Sequence, residues 1–122
     1  MMNIQDFITK SEQNHWSPLV ENGIHYQGIL VKSLRYDAES GRSKTILLRF
    51  EAQASYPYHI HPAGEEIFVL EGCCSIAGAV LNRGDYLYTP PNSKHGVYSR
   101  EGCTLLLSIP EEVQIIEHHE GE

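Results

Sequence analysis

From Ile24 onward, apolar and polar positions come in short runs separated by turn residues. Ile24 to Tyr36 is rich in β-branched and aromatic residues and predicts a strand. Asp37 to Ser43 reads as a turn by its Asp, Ser and Gly content. Thr45 to Phe50 predicts the next strand, with Ile46, Leu48 and Phe50 on one face. Further strands are predicted at Tyr56 to His61, Glu66 to Glu71, Cys73 to Ala77, Tyr86 to Thr89, Gly96 to Ser99 and Thr104 to Ser108. Prolines 57, 62, 90, 91 and 110 punctuate them, as do glycines 72, 84 and 102. No clean helical period runs for ten residues after position 24, so any helix falls in the first 20. Short strands with turn signals every 8–12 residues predict an all-β sandwich or barrel.

The ends differ from the middle. Residues 1–22 form an N-terminal arm whose Trp16-Ser17-Pro18-Leu19 is expected to dock an indole in extended conformation. Residues 23–110 form the barrel, and 111–122 an acidic tail whose last residues are expected to be mobile. At 122 residues the chain suits one domain. Nine Lys and Arg against 16 Asp and Glu give a net charge of -7, and the basic residues are scattered. That balance argues against a nucleic-acid or anionic-membrane surface. No apolar run is long enough to span a membrane, and the N-terminus lacks the basic and apolar regions of a signal peptide. Cys73, Cys74 and Cys103 are odd in number and contain no CxxC pair. Neighbouring Cys73 and Cys74 should face opposite sides of a strand. Reduced thiols in a cytoplasm are the expectation.

The seven histidines change the picture. His15, His25, His118 and His119 sit apart from any chemical pattern, and His118 and His119, in the acidic tail, read as solvated surface. In His59-Ile60-His61, two imidazoles at i and i+2 share one face of a strand, about 7 Å apart at most along the chain. Between them they can hold one ion. The Pro62-Ala63-Gly64 turn lets Glu65 swing back toward it, and His95 follows the turn after Pro90 and Pro91. The alternative is that His59 and His61 are partly buried strand residues bonded to the backbone. Against it, two histidines beside a carboxylate in an apolar barrel are costly without a cation.

His59-Ile60-His61-Pro62-Ala63-Gly64-Glu65 and Gly72 resemble the first cupin motif, HxHx(3–4)E, six residues, then Gly. Gly84, Pro90, Asn92 and His95 are similar to the second, G(x5)PxG(x2)H. Asn92 stands for a glycine, which Asn tolerates because it accepts positive φ. Ser99 stands where the motif has Asn, a position that is not a ligand. Trp16-Ser17-Pro18, Leu34 to Asp37, Thr45 to Phe50, Glu65 to Gly72 and Gly102-Cys103 resemble the ChrR-like cupins over about residues 16 to 108.

That resemblance implies a double-stranded β-helix, a jelly-roll barrel, with one divalent transition metal per chain on His59, His61, Glu65 and His95. Three imidazoles and a carboxylate suit Zn, Fe, Mn, Ni or Cu. It further implies a dioxygenase-type enzyme acting on a small carbonyl or phenolic compound. The alternative is a stand-alone metal- or ligand-sensing module, because ChrR-like cupins also form the sensing half of zinc anti-sigma factors. The arm carries His15 and no cysteine, which disfavours a direct anti-sigma role. Tyr88 and Tyr98 are the candidate catalytic phenols, and Arg49 and Gln53 candidates for the mouth; the competing reading for the tyrosines is packing as strand aromatics. Cys103 is read as a small buried core residue rather than a redox-active thiol. From Glu65 onward, Ile67 and Val69 fall on the ligand face, Phe68 and Leu70 on the other. With both faces apolar, a homodimer is expected, in keeping with the family.

Overall fold

The structure is a computed structural model, and residues 1–116 are described. His118, His119 and the end of the acidic tail lie outside them. The arm holds two short 3-10 turns, Ile4–Phe7 and Ser11–Gln13. Ten strands follow: β1 Ser17–Glu21, β2 Ile24–Asp37, β3 Arg42–Phe50, β4 Ala54–His61, β5 Glu65–Ile76, β6 Ala79–Asn82, β7 Tyr86–Thr89, β8 Ser93–Ser99, β9 Cys103–Ser108 and β10 Gln114–Ile115. All pairings are antiparallel.

Two sheets face each other, and β5 belongs to both. One sheet runs β1-β2-β3-β9-β5-β7, the other β10-β4-β8-β5-β6. The pattern predicted two strands split at Gly72. The chain instead continues through it and changes sheet there. Gly72 has φ +74, and a Cβ would lie 2.1 Å from the Gly102 carbonyl oxygen, so glycine is the residue that fits. Three strands escaped the pattern. β1 lies in the segment read as the extended end of the arm and pairs with β2. β6 is a four-residue return after the Ala77-Gly78 turn, and β10 has two residues, too short to show alternation.

Alternation decides what reaches the interior. Ile67 and Val69 are buried, as are Leu48 and Phe50 of β3 and Leu105 and Leu107 of β9. Phe68 is 38% exposed on the outer face, beside Tyr86 and Tyr88. Cys74 points in and Cys73 is half-buried, so the adjacent thiols do face opposite ways. Trp16 docks against the outer face of the first sheet, with Lys32 Nζ 4.9 Å and Arg49 Cζ 4.5 Å from its ring. Ser99 is fully buried, and its hydroxyl donates to the Cys73 carbonyl oxygen at 2.7 Å and accepts from the Gly102 N–H at 2.9 Å. It serves the corner where β5 changes sheet. Among the described residues, no helix is long and apolar enough to cross a membrane.

Candidate metal centre

His59 and His61 end β4, and Glu65 begins β5. The turn between them is held by the Gly64 and Asn92 N–H groups, which both donate to the His61 carbonyl oxygen, at 3.2 and 2.7 Å. Gly64 has φ +82, and a Cβ there would come 2.7 Å from the Thr89 carbonyl oxygen. Asn92 has φ 70, the conformation anticipated for a residue standing in for glycine. His95 lies on β8 directly opposite His59.

A β-bulge completes the arrangement. Between the pairs Tyr56↔Val97 and His59↔His95, β4 has two residues, Pro57 and Tyr58, where β8 has Gly96 alone. In regular alternation Tyr56 and His59 would face opposite ways. The extra residue turns both inward, and both are buried. It also brings the Pro57 carbonyl oxygen to 2.7 Å from His59 Nδ1. A carbonyl can only accept, so His59 carries its hydrogen on Nδ1 and turns the Nε2 lone pair to the interior.

His59, His61, Glu65 and His95 meet in the core, each 4% exposed or less, with one possible ligand atom apiece all within 4.8 Å of one another. His59 Nε2 is 2.8 Å from His61 Nε2. Glu65 Oε1 is 3.1 Å from His61 Nε2 and 3.3 Å from His95 Nε2. Two ligands about 2.1 Å from a shared ion stand roughly 3.0 Å apart in an octahedron and 3.4 Å in a tetrahedron. These three edges, 2.8 to 3.3 Å, lie close to both separations and fit an ion without choosing its geometry. His61 Nδ1, Glu65 Oε1 and His95 Nε2 have no hydrogen-bond partner although buried. Burial pushes His59 down to about 4, so its imidazole is neutral at physiological pH. Burial alone would raise the Glu65 carboxyl, but His61 and His95 beside it hold it below the ordinary carboxylate value. Imidazole nitrogens and a carboxylate oxygen converging on one point are what a divalent cation requires, and without one their desolvation is uncompensated.

The cluster opens onto a cavity with about 50 Å³ of space for a water-sized molecule, room for one or two waters. Its walls are apolar, built from residues such as Phe50, Ile67, Val97 and Leu105, with Glu21, Ile46 and Val113 the half-buried members of the lining. Outside the cluster, only Glu21 and Tyr56 among its lining residues carry a polar side chain. The Tyr56 hydroxyl donates to Glu21 Oε1 at 2.5 Å, and its ring meets the edge of His59 with centroids 4.9 Å apart.

The structure does not bring Tyr88 or Tyr98 to the cluster. They are 56% and 41% exposed, because alternation sends them outward beside the inward Thr89, Val97 and Ser99. Arg49 lies over Trp16 on the outer face, and Gln53 sits in the exposed loop after β3, so neither lines the cavity. Cys103 is buried and does not line it either. Glu21 carries no expectation from the sequence, and Tyr56 is one of the tyrosines for which strand packing is the competing reading. Asn22-Gly23, with φ 52 and 79, makes the two-residue hairpin joining β1 to β2. An Asn-Gly dipeptide between apolar runs is a strong hairpin signal and would have set Leu19 and Glu21 on one face of a strand. The bulge that turns Tyr56 inward has no comparable mark beyond Pro57.

The ChrR cupin-like domain matches residues 4–110 of the chain. No curated protein matches it in sequence. Among solved structures, it is similar to a candidate acetylacetone dioxygenase from Methylibium petroleiphilum at 20% identity and TM-score 0.78, over 89% of this chain and 79% of that one. An acetylacetone dioxygenase from Acinetobacter johnsonii is similar at 17% identity and TM-score 0.76, over 91% and 77%. The polyketide cyclase RemF from Streptomyces resistomycificus is similar at 20% identity and TM-score 0.71, over 98% and 89%.

Proposed function

This chain belongs to the ChrR cupin-like family, and on that premise we propose that it is a metal-dependent enzyme of dioxygenase type acting on a small carbonyl compound, with a short β-diketone as the leading candidate. The observation that carries the proposal is the buried cluster of His59, His61, Glu65 and His95, with unpaired nitrogen and oxygen atoms, facing an otherwise apolar cavity. The acetylacetone dioxygenases of like fold support the substrate class.

The four residues would hold one divalent ion of Zn, Fe, Mn, Ni or Cu type, which when bound supplies Lewis acidity and, if redox-active, electron exchange with dioxygen. The chain's own part is positioning and exclusion. The Pro57 carbonyl fixes the His59 ring, and the apolar walls admit small neutral molecules and little water. The narrow volume favours a compound of few heavy atoms, entering past half-buried Ile46 and Val113. The exposed aromatics Phe68, Tyr86 and Tyr88 support a homodimer through the outer face, and three free thiols support a reducing, cytoplasmic setting.

The test is oxygen uptake by protein loaded anaerobically with Fe(II), given acetylacetone and related diketones. Saturable, stoichiometric uptake is expected. No uptake with Fe, Mn, Ni, Zn or Cu would overturn the enzymatic reading and favour a sensing module.

A further inference from the structure

We propose that Glu21 is the proton acceptor through which the cavity takes up a β-dicarbonyl compound as its enolate. The inference rests on the enzymatic reading above and assigns the handling of the substrate's proton to one residue.

A neutral dicarbonyl that binds through both oxygens as an anion must give up a proton from its central carbon. Apolar side chains make up most of the wall around the cluster, so the proton needs one of the few polar groups there as its acceptor. The cluster's lone pairs face one another: His59 Nε2, His61 Nε2, His95 Nε2 and Glu65 Oε1 all point to the shared centre. Two polar lining residues remain. Tyr56 donates its hydroxyl hydrogen to Glu21 Oε1, so it is the donor of the pair and not a base. That leaves Glu21.

Its placement fits the role. Glu21 ends β1 beside the Asn22-Gly23 turn, paired with Ile24, and it lines the cavity while half-buried. Tyr56 spans the gap between it and the cluster, with its ring against His59 and its hydroxyl on Glu21 Oε1. Among the described residues, Tyr56 provides the one side-chain hydrogen bond to Glu21, so Oε2 remains free to accept. In the step, the C–H bond at the central carbon breaks and an O–H bond forms on Glu21. The electron pair stays on the dicarbonyl as its enolate, and no oxidant or reductant is consumed.

The experiment counts protons by calorimetry. Zinc-loaded protein under nitrogen is titrated with acetylacetone in two buffers of different ionisation enthalpy, so no turnover enters. The wild type is expected to release well under half a proton per ligand bound. Glu21→Gln, with its metal content and melting checked, is expected to release about one and to bind roughly tenfold more weakly. Tyr56→Phe should keep the proton as the wild type does. A full proton released by the wild type overturns the assignment, and that count stands even if Glu21→Gln fails to fold. An unchanged proton count in folded, zinc-replete Glu21→Gln also overturns it. Absence of acetylacetone binding by the wild type overturns the substrate class and this assignment together. Binding and proton counts as expected, without oxygen uptake by iron-loaded protein, would overturn the dioxygenase reading alone.

Discussion

The Pro57 carbonyl oxygen lies 2.7 Å from His59 Nδ1, and it is there because of an extra residue in β4 opposite Gly96. One bulge therefore does two jobs: it turns Tyr56 and His59 to the same side, and it sets the tautomer of a ligand candidate. In zinc-loaded protein, nitrogen-15 spectra of labelled histidine should show His59 protonated at Nδ1 and metallated at Nε2. A His59 with Nε2–H would contradict the orientation.

Acid should weaken the metal-free protein. His59 titrates near 4 when folded, against about 6.5 when the chain is unfolded. Above the unfolded value neither state binds the proton. As pH falls from about 6.5 toward 4, the unfolded chain takes it up first, so stability is lost across that window and the loss is complete below the folded value. At about 1.4 kcal/mol for each tenfold change in proton affinity, the loss approaches roughly 3 kcal/mol. Glu65, held below its ordinary value, adds a loss of the same sign at still lower pH. Guanidinium unfolding at a series of pH values checks this, and a flat profile between pH 7 and 4.5 would refute it.

Gly72→Ala should be costly where Gly78→Ala is mild. Both glycines have positive φ, +74 and +83. A Cβ at 72 would press on the Gly102 carbonyl oxygen at 2.1 Å and on Cys103 Cα at 2.9 Å, whereas at 78 nothing lies within 4 Å. Backbone strain alone costs about 1 kcal/mol, so Gly78→Ala should lose about that, and Gly72→Ala about 3 kcal/mol or more because the opposing atoms are backbone. Equal losses in denaturant unfolding would show that β5 can change sheets without a glycine.

Most of the fold could be read from alternation and turn residues. Ile46, Leu48, Phe50, Ile67 and Val69 face inward as their spacing predicts, because a period of two is the only signal a half-buried strand needs. Gly72 marked a break by composition, but composition cannot tell a turn from a strand that bends into a second sheet. The cluster was legible because His59, His61 and Glu65 are local in sequence and His95 follows a recognisable turn. The second polar pair was not. Glu21 and Tyr56 are 35 residues apart and meet only through a long-range hydrogen bond and a bulge. Tyr88 and Tyr98 were attractive for their chemistry, yet parity along β7 and β8 sends them outward.

Together, His59, His61, Glu65 and His95 are proposed to hold one metal ion. Elemental analysis of anaerobically purified wild type and His61→Ala, with folding of both verified, tests it most directly. About one transition-metal ion per chain is expected in the wild type and less than about a tenth of that in His61→Ala, since the substitution removes one of four ligands and one of the two imidazoles beside Glu65. Stoichiometric metal retained by folded His61→Ala would contradict it.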